Sequence, residues 1–409
     1  MSLTTSTPAP SELSDPAAHF IKKAIELRPQ LLARQAETEQ LGYYPEETHQ
    51  ELLEAGFYRL LQPRTFGGFE MDLGSFHRVV IELARGCPST AWSYAFGVSH
   101  QLIAAMHFSK ETQTELFAAE TCLIASTSTI SSVPAEKVDG GYRIRGSYPY
   151  ASGSRYSTHY LGGAFDTDGN QLTILVPRSG YTILNDWDDV LGLKGTGSNT
   201  LEIDSVIPDH LVLQSPFFVP PIQGGSVGYE LHGNPMFALP LLSITSLLMS
   251  CVGVGAGLAA TDEYARIIKS KPGMSFTPEP PPMLGDLEEY QMHLGTALSV
   301  LVSMEAVVVR GGELLMGFGA QNVREGGYNP EWDNQLVAMA IVAAKGVWGT
   351  VQEQLVSTIG TSKISRQDER MQRYVRDLQM LLSHRFVMYN HQNAVGFGNA
   401  ALQKLSAAE

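Results

Sequence analysis

Hydrophobic positions recur every three or four residues over 15–120, which predicts helices in the N-terminal part of the chain. The segment PEETHQELLEAGF predicts a helix that begins at Pro45 and ends at Gly56, because acidic residues fill its first turn and glycine commonly ends a helix. A second helix is predicted over 88–108. One side of it carries the apolar residues Trp92, Phe96, Ile103 and Met106.

The period changes to two over 121–209, where Thr, Ser, Val and Ile become frequent and polar turns follow one another. Four short strands with alternating faces are predicted: YRIRGSYPY, HYLGGAF, QLTILV and NTLEIDSV. A Pro- and Gly-rich connector follows over 211–235, and helical periodicity then returns. It covers 236–270, 283–318, 330–359 and 366–393, which is typical of a four-helix bundle.

The order helices, strands, helices predicts a mostly helical α+β protein. We expect a flexible tail at 1–14, an N-terminal helical domain at 15–120, a β-barrel domain with its connector at 121–235, and a C-terminal helical bundle at 236–409. The run GVGAG at 253–257 is not a dinucleotide fingerprint, because it lies inside a predicted helix with no strand before it. Its small residues instead predict a close approach of two helices.

Composition narrows the range of partners. The formal net charge is −14, which disfavours nucleic acid and acidic membrane surfaces. Three scattered cysteines are too few for a disulfide framework or a zinc cage and suit a reducing cytoplasm, and no metal site is expected. The apolar stretch 236–258 is interrupted by polar residues, and the first residues lack a secretion signal, so we expect a protein that neither crosses a membrane nor is exported.

Two polar clusters interrupt the strand pattern. In LKGTGSNT at 193–200, Gly195 and Gly197 free the backbone to approach a ligand, and Thr196 and Ser198 offer hydroxyl groups. On these residues alone, an ordinary hairpin turn is the favoured interpretation. The second cluster, YASGSRYSTHY at 150–160, contains Ser152, Ser154 and His159.

Histidines form two pairs with a spacing of seven, which places each pair on one face of a predicted helix. The pairs are His100 with His107 and His384 with His391. Helical metal ligands usually stand three or four residues apart, so metal binding is not favoured. Two interpretations remain open, namely a structural imidazole and one that moves a proton near neutral pH.

Three ordered motifs together resemble the acyl-CoA dehydrogenase superfamily over nearly all residues beyond the tail. They are EAGFYRLLQPRTFGGFE at 54–70, GLKGTGSNT followed by SVIPDH, and IGTSKISRQDERMQRYVRD ahead of the last predicted helix. The resemblance implies an N-terminal helical domain, a central β-barrel and a C-terminal four-helix bundle.

One departure from that family bears on function. Many of its dehydrogenases carry a catalytic glutamate soon after the Arg-Asp of the last motif, but here Arg376-Asp377 is followed by LQMLLSHRFVMYN, with His384 close to the expected place. The segments GCPSTAWSYAFGVSH, YASGS and RDLQMLLSH, which contain His100, Ser152 and His384, are similar to two-component flavin-dependent monooxygenases, in the branch of the p-hydroxyphenylacetate hydroxylase oxygenase component.

That resemblance implies an oxygenase component that uses reduced FMN or FAD and O2, through a flavin hydroperoxide, to hydroxylate an aromatic or heteroatom-containing small molecule. It implies a separate NAD(P)H:flavin reductase and a homotetramer. His100 and Ser126 become candidates for substrate activation, although Ser126 lies in STSTISS, where several hydroxyls could serve, and His384 for the group beside the reactive flavin position. The expected flavin-binding residues are Ser152, Ser154, Gly195, Thr196, Gly197, Ser198, Arg373 and Arg376. The resemblance implies that the two arginines reach the flavin phosphate of a neighbouring subunit, with Arg366 and Arg370 of the same run as alternatives.

Two other functions remain open. The chain could be an acyl-CoA dehydrogenase or a related flavin oxidase whose base lies elsewhere, for which Glu263, Glu288 and Glu305 on the bundle helices are the candidates. It could also be a non-catalytic member of the fold that only binds a ligand.

Overall fold

A computed structural model describes residues 13–119, 121–127, 133–216, 224–275, 278–366, 368–388 and 390–406. The N-terminal part is helical, as predicted. Its helices are α1 (Pro16–Leu41), α2 (Glu46–Glu54), α3 (Leu73–Gly86), α4 (Pro88–His107) and α5 (Lys110–Leu116). The predicted helices at 45–56 and 88–108 are confirmed, and Pro88 opens α4, where its missing N–H costs no hydrogen bond.

Eight strands follow and form two four-stranded sheets. The strands are β1 (Ile124–Ser126), β2 (Ala135–Val138), β3 (Gly141–Ala151), β4 (His159–Phe165), β5 (Gln171–Pro177), β6 (Tyr181–Ile183), β7 (Asn199–Pro208) and β8 (Val212–Leu213). One sheet has the order β1-β4-β5-β8 and the other β2-β3-β7-β6. Of the pairings between these eight described strands, β1–β4 is parallel and the others are antiparallel. The four predicted strands correspond to β3, β4, β5 and β7, and the four short ones lacked enough alternation to be found.

The C-terminal part is helical and built around one central helix. Its helices are α6 (Val227–His232), α7 (Leu241–Ser270), α8 (Glu288–Glu325), α9 (Pro330–Thr350), which continues through a π-helical segment to α10 (Ser357–Ile359), and α11 (Arg370–Leu382), α12 (Arg385–Met388) and α13 (Asn390–Ser406). The prediction of one helix over 366–393 is wrong, because helix α11 ends at Leu382 and a turn separates it from α12. His384 therefore lies in the turn between α11 and α12, not on a long helix, and does not share a helix face with His391.

The small residues of GVGAG lie within α7, as predicted, and explain its close packing. A Cβ atom at Gly255 would lie 2.5 Å from the Cβ of Ala84 on α3, and one at Gly257 would lie 2.7 Å from Cγ1 of Val347 on α9. Only glycine lets these helices approach so closely.

By length and composition alone, α7 and α8 could each cross a membrane, but their environments differ. The apolar window of α7 is 94% buried inside the fold, whereas that of α8 is 22% buried. Helix α7 is thus a core helix, and α8 presents apolar side chains on the surface of the chain.

Candidate active site

A cavity of about 360 Å³ lies where α4, the β-sheets and the α11–α12 turn meet. This volume is within the usual range for small-molecule sites. Its walls are mostly aromatic and hydroxyl-bearing: Trp92, Phe96, His100, Ser126, Thr127, Tyr150, Ser152, Trp187, Leu193, Thr196, Ser198, Leu241, Thr245, Met380, Ser383, His384, Arg385 and Phe386. Six of the eleven site residues expected from sequence therefore meet in one cavity.

Helix α4 contributes Trp92, Phe96 and His100, whose spacing of four places them on one face. Nδ1 of His100 is 2.8 Å from the carbonyl oxygen of Ile124. Because a carbonyl only accepts, Nδ1 carries the proton and Nε2 of the neutral ring keeps its lone pair. Burial lowers the pKa of His100 to about 4, so the ring is neutral at pH 7. Toward the cavity, His100 therefore offers a hydrogen-bond acceptor.

His384 faces the same cavity with the opposite polarity. The backbone N–H of Phe386 donates to Nδ1 of His384 at 3.4 Å, so the neutral ring carries its proton on Nε2. The ring meets the edge of Trp92, with 5.5 Å between centroids. Burial, followed by the charge of Arg385, lowers the pKa of His384 to about 4. Toward the cavity, His384 therefore offers a hydrogen-bond donor.

A row of hydroxyl groups forms a third wall of the cavity. Nε1 of Trp92 lies 3.0 Å from Oγ of Ser152, which lies 2.7 Å from Oγ of Ser198. Oγ of Ser198 is also 2.7 Å from Oγ1 of Thr196, which donates to the carbonyl oxygen of Leu193 at 2.9 Å. These four side chains, Trp92, Ser152, Ser198 and Thr196, are called the hydroxyl row below.

The direction of every proton in the hydroxyl row follows from its two ends. The indole N–H can only donate and the Leu193 carbonyl can only accept, so Thr196 gives its proton to Leu193. Ser198 must then donate to Thr196, and Ser152 to Ser198. Each hydroxyl oxygen keeps a lone pair but has no proton left, so the hydroxyl row presents acceptors to a ligand.

The other polar residues expected from sequence are placed differently. Ser126 ends β1 and lines the cavity, while residues 128–132 of the same hydroxyl-rich run lie outside the described residues. Ser154 is buried and donates to the carbonyl oxygen of Gly197 at 3.0 Å. Ser154 thus supports the turn from behind and does not line the cavity.

The expected role of the two glycines needs correction. A Cβ at Gly195 would lie 2.2 Å from Cγ2 of Thr38, so this glycine permits packing against α1 and not an approach to a ligand. Gly197 has a φ of 54°, which a residue with a side chain rarely adopts, and it shapes the turn. Neither glycine lines the cavity.

Arg373 and Arg376 also lie away from the cavity lining. Nε of Arg373 is 2.8 Å from one carboxylate oxygen of Glu39, and Nη2 of Arg376 is 2.7 Å from the other. Arg376 also donates to the carbonyl oxygen of Leu191 at 3.0 Å. Both guanidinium groups are buried and bind α11 to α1 within this chain, and their expected contact with the flavin phosphate of a neighbouring subunit stays a prediction.

Sequence reasoning missed three residues around the site. Trp187 lines the cavity and donates to the carbonyl oxygen of Leu193 at 3.1 Å. Tyr150 has a φ of 64°, an uncommon conformation that no sequence pattern signals. Asp377, part of the Arg-Asp motif, is buried and accepts the Leu193 N–H at 2.6 Å. The position of Asp377 in the motif was the one signal that could have found it.

Comparison with known proteins shows which families this chain is similar to. Residues 7–122 match the family described as acyl-CoA dehydrogenase, N-terminal domain. A flavin-dependent monooxygenase oxygenase subunit, HsaA, from Rhodococcus jostii is 34% identical over 244 residues, which are 58% of this chain and 62% of that relative. The chain is therefore similar to the acyl-CoA dehydrogenase superfamily, and it resembles that superfamily's branch of flavin-dependent monooxygenases, as expected from its three motifs.

The superfamily likeness extends over the rest of the chain at lower identity. A pigment production hydroxylase from Rhodococcus sp. is 29% identical over 368 residues, 88% of this chain and 90% of that relative. The alignment with HsaA from Rhodococcus jostii, by contrast, spans less than two thirds of that protein.

Solved structures show the same fold. The crystal structure of 3-HSA hydroxylase from Rhodococcus sp. RHA1 has a TM-score of 0.81 at 23% identity and covers 94% of this chain and 97% of its own. XiaF from Streptomyces sp., in complex with FADH2 and glycerol, has a TM-score of 0.80 at 22% identity and covers 95% of this chain and 96% of its own. Both likenesses confirm the predicted helical, barrel and bundle architecture.

Proposed function

We propose that the chain is the oxygenase component of a two-component flavin-dependent monooxygenase that hydroxylates an aromatic or heteroatom-containing small molecule. The observation that carries the proposal is the pair of neutral imidazoles on one cavity, where His100 presents an acceptor and His384 a donor. The monooxygenase names of the relatives support the same reaction class. The fold alone would not support a particular reaction, because one fold can host several chemistries.

The cavity fits a reduced flavin ring in both shape and chemistry. Trp92, Phe96, Trp187 and Phe386 supply flat apolar walls, and the hydroxyl row supplies acceptors. Reduced FMN or FAD, when bound, supplies the electrons that activate dioxygen. We propose that Ser152, Thr196 and Ser198 hold the N–H edge of the ring.

Each imidazole then has a distinct task. Nε2 of His100 accepts a proton or a hydrogen bond from the substrate, which makes an aromatic ring more electron-rich. Nε2–H of His384 would donate a hydrogen bond to the dioxygen-derived oxygen atoms at the flavin. The apolar walls would exclude water, which otherwise promotes the loss of hydrogen peroxide. Ser126 is proposed to orient the substrate, because its hydroxyl lies on the same cavity and can donate and accept.

The lining of the cavity also favours this proposal over oxidation of an acyl thioester. No carboxylate lines it among the residues that the structure describes. Glu263 is paired with Arg266 at 2.5 Å, and neither Glu288 nor Glu305 reaches the lining. The three glutamates considered as alternative bases thus stand outside the cavity.

The test supplies photoreduced FMN or FAD and air to the purified chain together with a panel of phenols, indoles and thiophenes. We expect an oxygenated product with at least one aromatic class and less hydrogen peroxide in its presence. Reduction of bound flavin by an acyl thioester would instead support a dehydrogenase. Failure to bind FMN and FAD in either redox state would support a non-catalytic member.

We further propose a separate NAD(P)H:flavin reductase, a homotetramer and a cytoplasmic location. The term oxygenase subunit in the name of the HsaA relative supports a partner reductase. Exposed apolar residues on α8, including Met292 and Val302 at 58% and 55%, support self-association. The three cysteines are buried free thiols, consistent with a reducing compartment. Sedimentation of the 44.5 kDa chain tests the tetramer.

A further inference from the structure

The hydroxyl row ends on a residue that the last helical motif holds in an unusual conformation. Leu193 has a φ of 52°, in the left-handed region that a branched apolar side chain seldom occupies. Its N–H donates to Oδ1 of Asp377 at 2.6 Å, and Asp377 is 3% exposed. The backbone next to Leu193 also packs tightly against α11, because a Cβ at Gly192 would lie 2.2 Å from the carbonyl oxygen of Arg376.

The carbonyl of Leu193 sets the direction of the hydroxyl row. It accepts from Oγ1 of Thr196 at 2.9 Å and from Nε1 of Trp187 at 3.1 Å. If this carbonyl turned away, Thr196 could point its proton into the cavity, and Ser198 and Ser152 could follow. Asp377 does not line the cavity, yet it accepts the N–H of Leu193, the residue whose carbonyl ends the row, and so helps to hold that residue in its left-handed conformation.

We propose that Asp377 is a positioning residue that keeps the hydroxyl row as acceptors only and thereby makes the cavity prefer reduced over oxidised flavin. The inference rests on the proposed function. A reduced isoalloxazine carries an N–H in its central ring where the oxidised ring carries a lone pair. Hydrogen-bond acceptors that face that edge attract the N–H of the reduced ring and repel the lone pair of the oxidised ring.

An asparagine at position 377 is the conservative replacement for this task. The carboxyl is faced by Arg373 and Arg376 from its own helix and by Glu39 from α1, and burial raises its pKa to about 7. Its neutral form is therefore accessible near pH 7, and Asn keeps a carbonyl oxygen for the Leu193 N–H. Leucine has a similar volume and no acceptor.

The experiment compares the wild-type chain with Asp377→Asn, Asp377→Leu and the control Asp204→Asn. Asp204 is an exposed residue of β7 that is paired with Arg143 and Arg145 and does not line the cavity. Dissociation constants for reduced and oxidised FMN are measured anaerobically, and amide hydrogen exchange of residues 191–196 is measured without flavin.

Asp377→Leu should lower the ratio of oxidised to reduced dissociation constants about tenfold or more and accelerate exchange of the Leu193 amide. Asp377→Asn should stay within about threefold of wild type, and Asp204→Asn should match it. An Asp377→Leu protein with wild-type exchange and a wild-type ratio would overturn the proposal.

Thr196→Val provides a second arm in case Asp377→Leu does not fold. It removes the last hydroxyl of the row at similar volume and leaves Asp377 intact, so the ratio should again fall about tenfold. An unchanged ratio would overturn the inference. A wild-type chain that binds neither FMN nor FAD in either redox state overturns the proposed function and the preference with it, while exchange still reports on the Asp377 contact alone.

Discussion

The two histidines of the cavity have the same side chain but present opposite hydrogen-bond polarity to it. His100 lies in the middle of α4, is 7% exposed, and is held by a carbonyl at 2.8 Å. His384 lies in a turn between two helices, is more exposed, and receives a backbone N–H at 3.4 Å. The comparison shows that the partner of Nδ1, not the ring itself, decides whether Nε2 accepts or donates.

Removing the acceptor should have the largest effect. In His100→Asn the amide can still donate to Ile124, but nothing replaces Nε2 in the cavity. We expect product formation with reduced flavin to slow by about 10²–10⁴, while flavin affinity changes little. Rapid-quench measurement of product in a single turnover checks this. A variant that hydroxylates at the wild-type rate would exclude His100 as the proton acceptor.

Removing the donor should have a smaller and different effect. In His384→Asn the amide oxygen can still accept from Phe386, but Nε2–H is lost. We expect product per reduced flavin to fall roughly tenfold, about 1.4 kcal/mol, with a matching rise in hydrogen peroxide. His384→Gln, which places an N–H near the lost one, should recover much of the yield. Equal yields in both variants would show that the donor is not used.

The two histidines should also appear in the pH dependence of stability. Their folded pKa values of about 4 lie below the ordinary 6.5, so folding favours the neutral rings. Their stabilising contribution is complete above pH 6.5 and is lost as pH falls towards 4, by up to about 1.4 kcal/mol per pH unit for each ring. Denaturant unfolding of both Asn variants should show a flatter dependence in this range, and curves parallel to wild type would contradict the assignment.

The smallest change should come from Trp92, whose ring contacts His384. Trp92→Phe keeps an aromatic ring beside His384 but removes the indole N–H that donates to Ser152, together with the pyrrole ring that carries it. Flavin affinity should weaken about threefold to tenfold, with the rate of the His100-dependent step retained. Fluorescence titration and single-turnover rates separate the two effects. Loss of the rate at full flavin occupancy would mean that the tryptophan acts through His100.

Sequence patterns predicted the long elements well and their ends poorly. Strand β7 alternates between buried and exposed residues over much of its length, and helix α4, although buried on all sides, is long and begins at a proline, so both could be found from local pattern alone. The break after Leu382 escaped prediction, because the residues from 383 to 388 contain neither Gly nor Pro. Tertiary packing decides that turn.

The site was partly predictable for the same reason. His100 and Ser152 stand in motifs whose neighbours are shared with a known family, and both line the cavity. Arg373 could not be placed, because its partner Glu39 lies on a helix 334 residues away in sequence. The role of Gly195 also depended on a distant neighbour, Thr38. Local pattern carries no information about such contacts.

The most direct test is the tautomeric state of the two cavity histidines, measured by nitrogen-15 NMR on histidine-labelled protein at pH 7. His100→Asn and His384→Asn assign the signals. We expect both rings to be neutral, with the proton on Nδ1 in His100 and on Nε2 in His384. Identical tautomers, or a charged ring at either position, would contradict the claim that one cavity presents an acceptor and a donor.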